Sequence, residues 1–371
     1  MKKIIVTVII LLLVFSVFAC SNTAQNQNSA SAQSSGGVGA SAAIASASPS
    51  VSASTSTTGA VSPTTGLPGN TKYRPVQVQI DNEPTGRPQY GIQSADIVYE
   101  AMIEGVDTRL SCIFNDTLPT QVGYVRSSRV YFQWIQNEWD SIYIHDGGPY
   151  VASFKKSYIG SAENGGDMKA NIDGATATKD IFWHPNGDLN FAFANVQAAE
   201  DKFDYTRTAR TPAFKFDSNV DYSKYPDVSK IDIPFLSSDP THVEYQYDKS
   251  TDKFVRYCFG KPFIDHDTNK AVSVQNVIVE YAYTAELPGE GTATQASRKE
   301  VKLIGSGKAE FFVGGKHMIG TWQKTDRHAG TVYKLDDGSE LVLKPGNTCI
   351  AIQPDLKSVV TDGKTSVSVA S

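Results

Sequence analysis

Hydrophobic and polar positions change period several times along the chain, and each change marks an element. Val76, Val78 and Ile80 alternate with Gln77, Gln79 and Asp81, the two-residue period of a strand with one wetted face. Ile97 to Ile103 and Leu110 to Phe114 read as two more strands, joined by Glu104-Gly105-Val106-Asp107 as a hairpin turn. After Val125 the period lengthens. Tyr131, Trp134, Ile135 and Trp139 share one helical face, with Ser127 or Ser128 as its N-cap. Ile142 to Ile144 returns to strand and runs into His145-Asp146-Gly147-Gly148, and a second helix is predicted across Phe191 to Phe203. Strands mixed with helices predict an N-terminal α/β domain over residues 72–211.

Pro212, Pro226, Pro234 and Pro240, set among scattered charges, mark residues 212–240 as an inter-domain crossing. From 241 to 360 short strands alternate with turns such as Gly314-Gly315 and Asp336-Asp337-Gly338, the spacing of a sandwich or barrel. The expected fold class is therefore α+β: an α/β-like N-terminal domain with a mixed sheet, followed by a β-rich sandwich or barrel-like C-terminal domain. Residues 361–371 read as a frayed tail.

The N-terminus adds a location. Lys2 and Lys3 precede an apolar run from Ile4 to Phe18 that is shorter than the roughly 20 residues a spanning helix needs. Ala19-Cys20 follows it and resembles a bacterial lipobox, whose cleavage leaves Cys20 diacylated and anchored in a membrane. The alternatives are a leader cut elsewhere or an uncleaved anchor. Residues 21–71 contain no Asp, Glu, Lys or Arg and read as a disordered tether with a reach of roughly 35 to 40 Å. This predicts a body held at the outer face of the cytoplasmic membrane.

Charge and cysteine content narrow the partners. The formal charge is −5, and without Lys2 and Lys3 the 32 basic residues face 39 acidic ones, which argues against nucleic acid or an anionic membrane surface as the main partner. Cys112, Cys258 and Cys349 lie in apolar runs and read as three buried thiols, the alternative being one Cys258–Cys349 disulfide. No metal or cofactor is expected. The six histidines are dispersed, Asp265, Asp267 and Asn269 lack the glycine and glutamate of a calcium loop, and Gly305-Ser306-Gly307-Lys308 lacks the first glycine of a phosphate loop.

Candidate chemistry concentrates between Arg87 and Gly148. Arg126 and Arg129 bracket Ser127-Ser128 where a helix is predicted to begin, and positive side chains there oppose the helix dipole. A compensating anion is required, either a ligand phosphate or carboxylate or the protein's own Asp96, Glu100, Glu104 and Asp107. His145 ends a strand, the usual place for ligands in α/β sheets, with Asp146 or Asp81 nearby. The candidate ligand-binding residues are Asp81, Asp96, Glu100, Arg109, Arg126, Ser127, Arg129 and His145. No catalytic residue is assigned.

The ordered motifs Arg87-Pro88-Gln89, Ala95-Asp96-Ile97-Val98-Tyr99-Glu100, Glu104-Gly105, Thr108-Arg109, Val125-Arg126-Ser127-Ser128-Arg129 and His145-x-Gly147-Gly148 resemble the YerB-type lipoproteins of Gram-positive bacteria. Gly320-Thr321-Trp322-x-Lys324 and Pro345-Gly346-x-Thr348 extend the resemblance into the second half. It departs at Gly123-Tyr124 and at Trp183-His184-Pro185-Asn186. The resemblance implies a two-part domain of unknown function behind a lipoprotein signal, and no activity. Two functions are carried forward. One is an envelope binding module for an anionic small-molecule, lipid or glycan ligand or an envelope protein partner. The other is an enzyme acting on phosphorylated lipid or glycan intermediates, whose element order resembles LytR/CpsA/Psr phosphotransferases and requires Asp81, Asp96, Arg109, Arg126 and Arg129 around one pocket.

Overall fold

The computed structural model describes residues 61–69, 72–148, 170–203, 207, 214–235, 243–287 and 297–366. The leader, Cys20 and most of the expected tether lie outside them. One ten-stranded mixed sheet organises the rest. Its order is Val332–Leu335, Lys316–Lys324, Gly305–Val313, Asn276–Ala282, Thr348–Pro354, Ile97–Met102, Thr108–Phe114, Val76–Asp81, Ile142–His145 and Asn171–Asp173. The hairpin expected between residues 97 and 114 is present, with Tyr99 opposite Ser111.

This sheet takes strands from both expected domains. Ile97–Met102 runs parallel to Thr348–Pro354, with Tyr99 opposite Ile350, so residues 72–211 and 241–360 share one set of ladder hydrogen bonds. The central strands are buried on both faces, which favours an interior position. One face packs on helix α1, Val130–Trp139, through Tyr131, Phe132, Ile135 and Trp139. The other face packs on a seven-stranded sheet through Val277, Val279, Phe312 and Ala351 against Ile231, Ile233, Tyr245 and Phe254. A smaller three-stranded sheet and helix α2, Val196–Lys202, cover the remainder of that face. Burying each such large apolar side chain contributes about 1.5–3 kcal/mol.

Several local expectations change. Gln77 and Gln79 are fully buried instead of wetted, because Gln77 donates to Ser111 Oγ and the Phe132 carbonyl, and Gln79 donates to the Leu110 carbonyl. The expected crossing supplies the strand Lys230–Ile233, which sits inside the seven-stranded sheet between Val243–Asp248 and Val360–Thr361. The second helix begins at Val196, since Phe193–Ala194 forms a strand first. Residues expected as a tail instead pair Val360–Thr361 with Lys364–Thr365, and Ser366 donates to Glu310. Cys112, Cys258 and Cys349 are buried free thiols.

The last part of the expected tether is folded too. Ser62 Oγ and Thr65 Oγ1 donate to the two oxygens of Asp116, at 2.6 and 2.5 Å, and Thr64 Oγ1 donates to Asp96 Oδ2 at 2.5 Å. Small hydroxyl side chains, which cannot nucleate a core, here satisfy carboxylates that the core has already buried.

Candidate functional site

Ladder directions place the ends of Val76–Asp81, Ile97–Met102, Ile142–His145, Asn276–Ala282 and Thr348–Pro354 on one edge of the sheet. This carboxyl edge holds the arginine corner. Arg109 lies opposite Asp81 in register, and the segment 125–129 is pinned across it by Arg126 N–H to Gln79 O, Asp146 N–H to Arg126 O and Ser128 N–H to Gly147 O. Gly147, at φ +68°, makes the turn that brings its carbonyl under Ser128. Gly86 allows its loop to close on the site, because a Cβ there would lie 2.7 Å from Asp81 Oδ2.

The three arginines are in different states. Arg129 grips both oxygens of Glu104 with Nε and Nη2 and gives Nη1 to the Ser128 carbonyl at 2.7 Å. Burial pushes the Glu104 carboxyl up, and Arg129 more than reverses this, leaving it below the usual range. Arg126 pairs with Asp81 at 2.8 Å, donates to the Asn190 carbonyl at 2.7 Å and keeps about a fifth of its side chain in solvent, 21%. Arg109 has no carboxylate partner among the described residues. Its Nη1 donates to Ser127 O at 2.8 Å, its Nε is buried without a hydrogen bond, and burial together with Arg129 lowers its pKa to about 10. It stays a cation at neutral pH.

Ser127 is half-exposed, and its hydroxyl has no hydrogen-bond partner among the described residues. It does not cap α1, and neither does Ser128, whose Oγ accepts from the Tyr143 hydroxyl at 2.8 Å. Arg129 occupies the N-cap position with no side-chain cap. The start of α1 therefore lacks a side-chain cap, and the Arg129 carbonyl takes the Phe132 N–H. Two half-buried acids complete the rim. Burial and neighbouring Asp81 raise the carboxyls of Glu83 and Asp107, with Asp107 also acting on Glu83.

Three expected members stand elsewhere. Asp96 lies at the opposite, amino edge, held by Thr64 Oγ1 and the Asp116 N–H, because it precedes the strand whose end reaches the corner. Burial and Asp116 push its pKa up to about 7. Glu100 points under the seven-stranded sheet, accepting from Arg256 Nη1 at 2.7 Å, Asn82 Nδ2 at 2.9 Å and Thr108 Oγ1 at 2.7 Å. His145 is fully buried, with Nδ1 2.8 Å from Gly147 O and Nε2 2.8 Å from Asn171 Oδ1, so it orders the loop and offers nothing to solvent. The phosphotransferase-like arrangement, which needs Asp81 and Asp96 together, is not assembled: a strand's length separates them.

Sequence reasoning missed other participants. His184 Nε2 lies 3.3 Å from Asp146 Oδ2, both part-exposed, and Asn190 holds Arg126 through its carbonyl. Only the motif around His184 signalled the first, and a backbone acceptor carries no residue signal. Arg256, which faces Glu100, comes from a distant strand and had none either. No cluster of His, Cys, Asp and Glu suited to a metal occurs among the described residues.

Residues 64–209 match the family described as "Protein of unknown function (DUF3048) N-terminal domain", and residues 231–350 match its C-terminal domain. The Bacillus subtilis (strain 168) protein named "Putative lipoprotein YerB" is 31% identical over 301 residues, 80% of this chain and 86% of that protein. The crystal structure of YerB from Bacillus subtilis has a TM-score of 0.68 at 28% identity, covering 81% of this chain and 99% of the other. Matched along both segments and in its fold, the chain belongs to the DUF3048 family, whose function its own description leaves open.

Proposed function

We propose that this protein is a lipid-anchored binding module of the cell envelope, attached through Cys20, whose carboxyl edge receives an anionic group at Arg109, Ser127 and Arg126. The anchoring reading is supported by the leader and lipobox pattern and by likeness to a protein named as a lipoprotein. The site reading rests on one observation: the buried Arg109 guanidinium, its Nε unpartnered, donates to the main-chain carbonyl of Ser127, whose part-exposed hydroxyl has no partner among the described residues at a helix start without a side-chain cap. Arg109 Nε is closed to solvent, so Arg109 would act on a bound anion through its charge while the part-exposed Arg126 and Ser127 supply the contacts. Arg129 belongs to the scaffold in this reading, because Glu104 and the Ser128 carbonyl occupy it.

The folded body supports an outward orientation. Its N-terminal segment enters at the amino edge, where Thr64 meets Asp96 and the Thr65 carbonyl accepts from Gly346, so the corner lies at the other end of the strands. The test is complementation of a deletion strain with Ser127→Ala and with Arg126→Ala in an Asp81→Asn chain, which strands no buried carboxylate. Each variant should be produced at normal levels and fail to complement; full complementation by both would remove the site.

A further inference from the structure

The three-stranded sheet beside the arginine corner carries an aromatic strip that the corner itself does not use. Phe193 lies opposite both Gly123 and Trp183 in register, and Tyr90 bridges to Gly123 from the far side. A Cβ on Gly123 would come 2.8 Å from Phe193 Cδ1, so glycine leaves room for that ring. Phe193 is the buried hub. Trp183 stacks on it at 5.7 Å, Tyr90 and Tyr124 meet it at 5.0 and 5.2 Å, and Phe191 meets Tyr124 edge-on at 4.8 Å. The outer rings reach solvent: Phe191 is 38% exposed and Trp183 is part-exposed. Asn190 joins this strip to the corner, since its carbonyl accepts from Arg126 Nη1 and its peptide bond leads to Phe191. The Asn190 amide and N–H both donate to Asp188 Oδ1, which leaves Asp188 Oδ2 and Asn190 Oδ1 without a partner among the described residues.

We propose that the strip is the sugar-ring subsite of a glycan whose anionic substituent occupies the corner. Phe191 and Trp183 offer flat apolar surface to the C–H face of a pyranose, while the planar amide and carboxylate of Asn190 and Asp188 meet the hydroxyls at its rim. Leu189, 72% exposed on the same loop, would also suit a bilayer or a protein partner. The chain's entry at the amino edge opposes the bilayer, because the strip adjoins the corner at the other end of the strands. Asp188 opposes the protein, because interface cores are depleted of carboxylates. The anionic half of this inference rests on the reading of the corner, and the sugar half stands on rings separate from it.

Calorimetric titration of the full chain in detergent tests this with cellohexaose, the same oligosaccharide phosphorylated at its 6-hydroxyls, inorganic phosphate, and phosphatidylglycerol vesicles. Cellohexaose is the neutral probe because its equatorial hydroxyls leave both ring faces apolar. Both oligosaccharides should bind, the phosphorylated one about tenfold tighter, and Phe191→Leu and Trp183→Leu should each weaken both about tenfold. These variants keep apolar bulk and remove the ring, Phe191→Tyr should retain most of the affinity, and unchanged thermal unfolding verifies the fold. Ser127→Ala should remove the advantage of the phosphorylated chain alone. Binding of that chain lost on Ser127→Ala but indifferent to the ring variants overturns this inference and leaves the corner reading standing. Equal binding of both chains, weakened by the ring variants and untouched by Ser127→Ala, supports the strip and removes the corner. Failure of both chains to bind, or a ring-dependent preference for the vesicles, overturns the inference.

Discussion

The two edges of the ten-stranded sheet both bury charged side chains and treat them differently. At the amino edge Asp96 and Asp116 receive Thr64, Ser62 and Thr65, side chains delivered by the incoming N-terminal segment. At the carboxyl edge Arg126 and Arg129 are answered by Asp81 and Glu104, but no described residue answers Arg109 Nε or the Ser127 hydroxyl. One edge closes on itself and the other stops short of closure. The difference teaches that the number of charges at a site says little about its function. What separates structure from ligand binding is the hydrogen-bonding capacity left over after the protein has satisfied itself.

The comparison breaks first at the floor beneath the carboxyl edge. If Glu100 is structural, Arg256→Met should cost about 3–5 kcal/mol in urea unfolding, because it strands a buried carboxylate. Adding Glu100→Gln should recover part of that loss. A cost near zero for Arg256→Met would return Glu100 to the list of ligand groups.

At the amino edge, Thr64→Val and Thr65→Val each remove a donor from a buried or part-buried carboxylate and should cost about 1–3 kcal/mol apiece. Loss of nothing would mean that this edge is open as well.

Acidity sharpens the contrast further. Asp96, pushed up to about 7 by burial and Asp116, holds its proton more tightly in the folded chain than in the unfolded one. Its favourable contribution is therefore complete below the ordinary carboxyl range and is lost as pH rises through about 7. Burial, joined by nearby Glu138, likewise pushes Glu280 up to about 7, so it acts in the same direction. Thermal unfolding midpoints of Asp96→Asn should fall less than wild type between about pH 4 and 7. A profile as steep as wild type would contradict the assignment.

Arg126→Ala leaves the fully buried Asp81 carboxylate without its cation and should cost about 1–3 kcal/mol in unfolding, which Asp81→Asn in the same chain should partly recover.

Local pattern made the helix α1 legible by its apolar face and the strands Val76–Asp81, Ile97–Met102 and Thr108–Phe114 by alternation or short apolar runs, although all three strands are buried on both faces. Pairing between distant segments was not legible. Nothing near Ile97 announces that Thr348–Pro354 will lie beside it, so the union of the two halves in one sheet could not be read from either. The same limit explains Glu100 and Asp96. Their residue types suggested the arginine corner, but strand length and direction carried one to the far edge and the other under a second sheet. Arg109 and Ser127 were legible as candidates, while their spare capacity depends on which neighbours arrive first.

The most direct measurement compares the two edges in intact cells. A photoreactive phenylalanine analogue is placed at Phe191 beside the corner and at Leu67 on the amino side, both exposed. The account predicts crosslinked adducts from Phe191 and none from Leu67. Adducts from Leu67 alone, or equally from both, would contradict it.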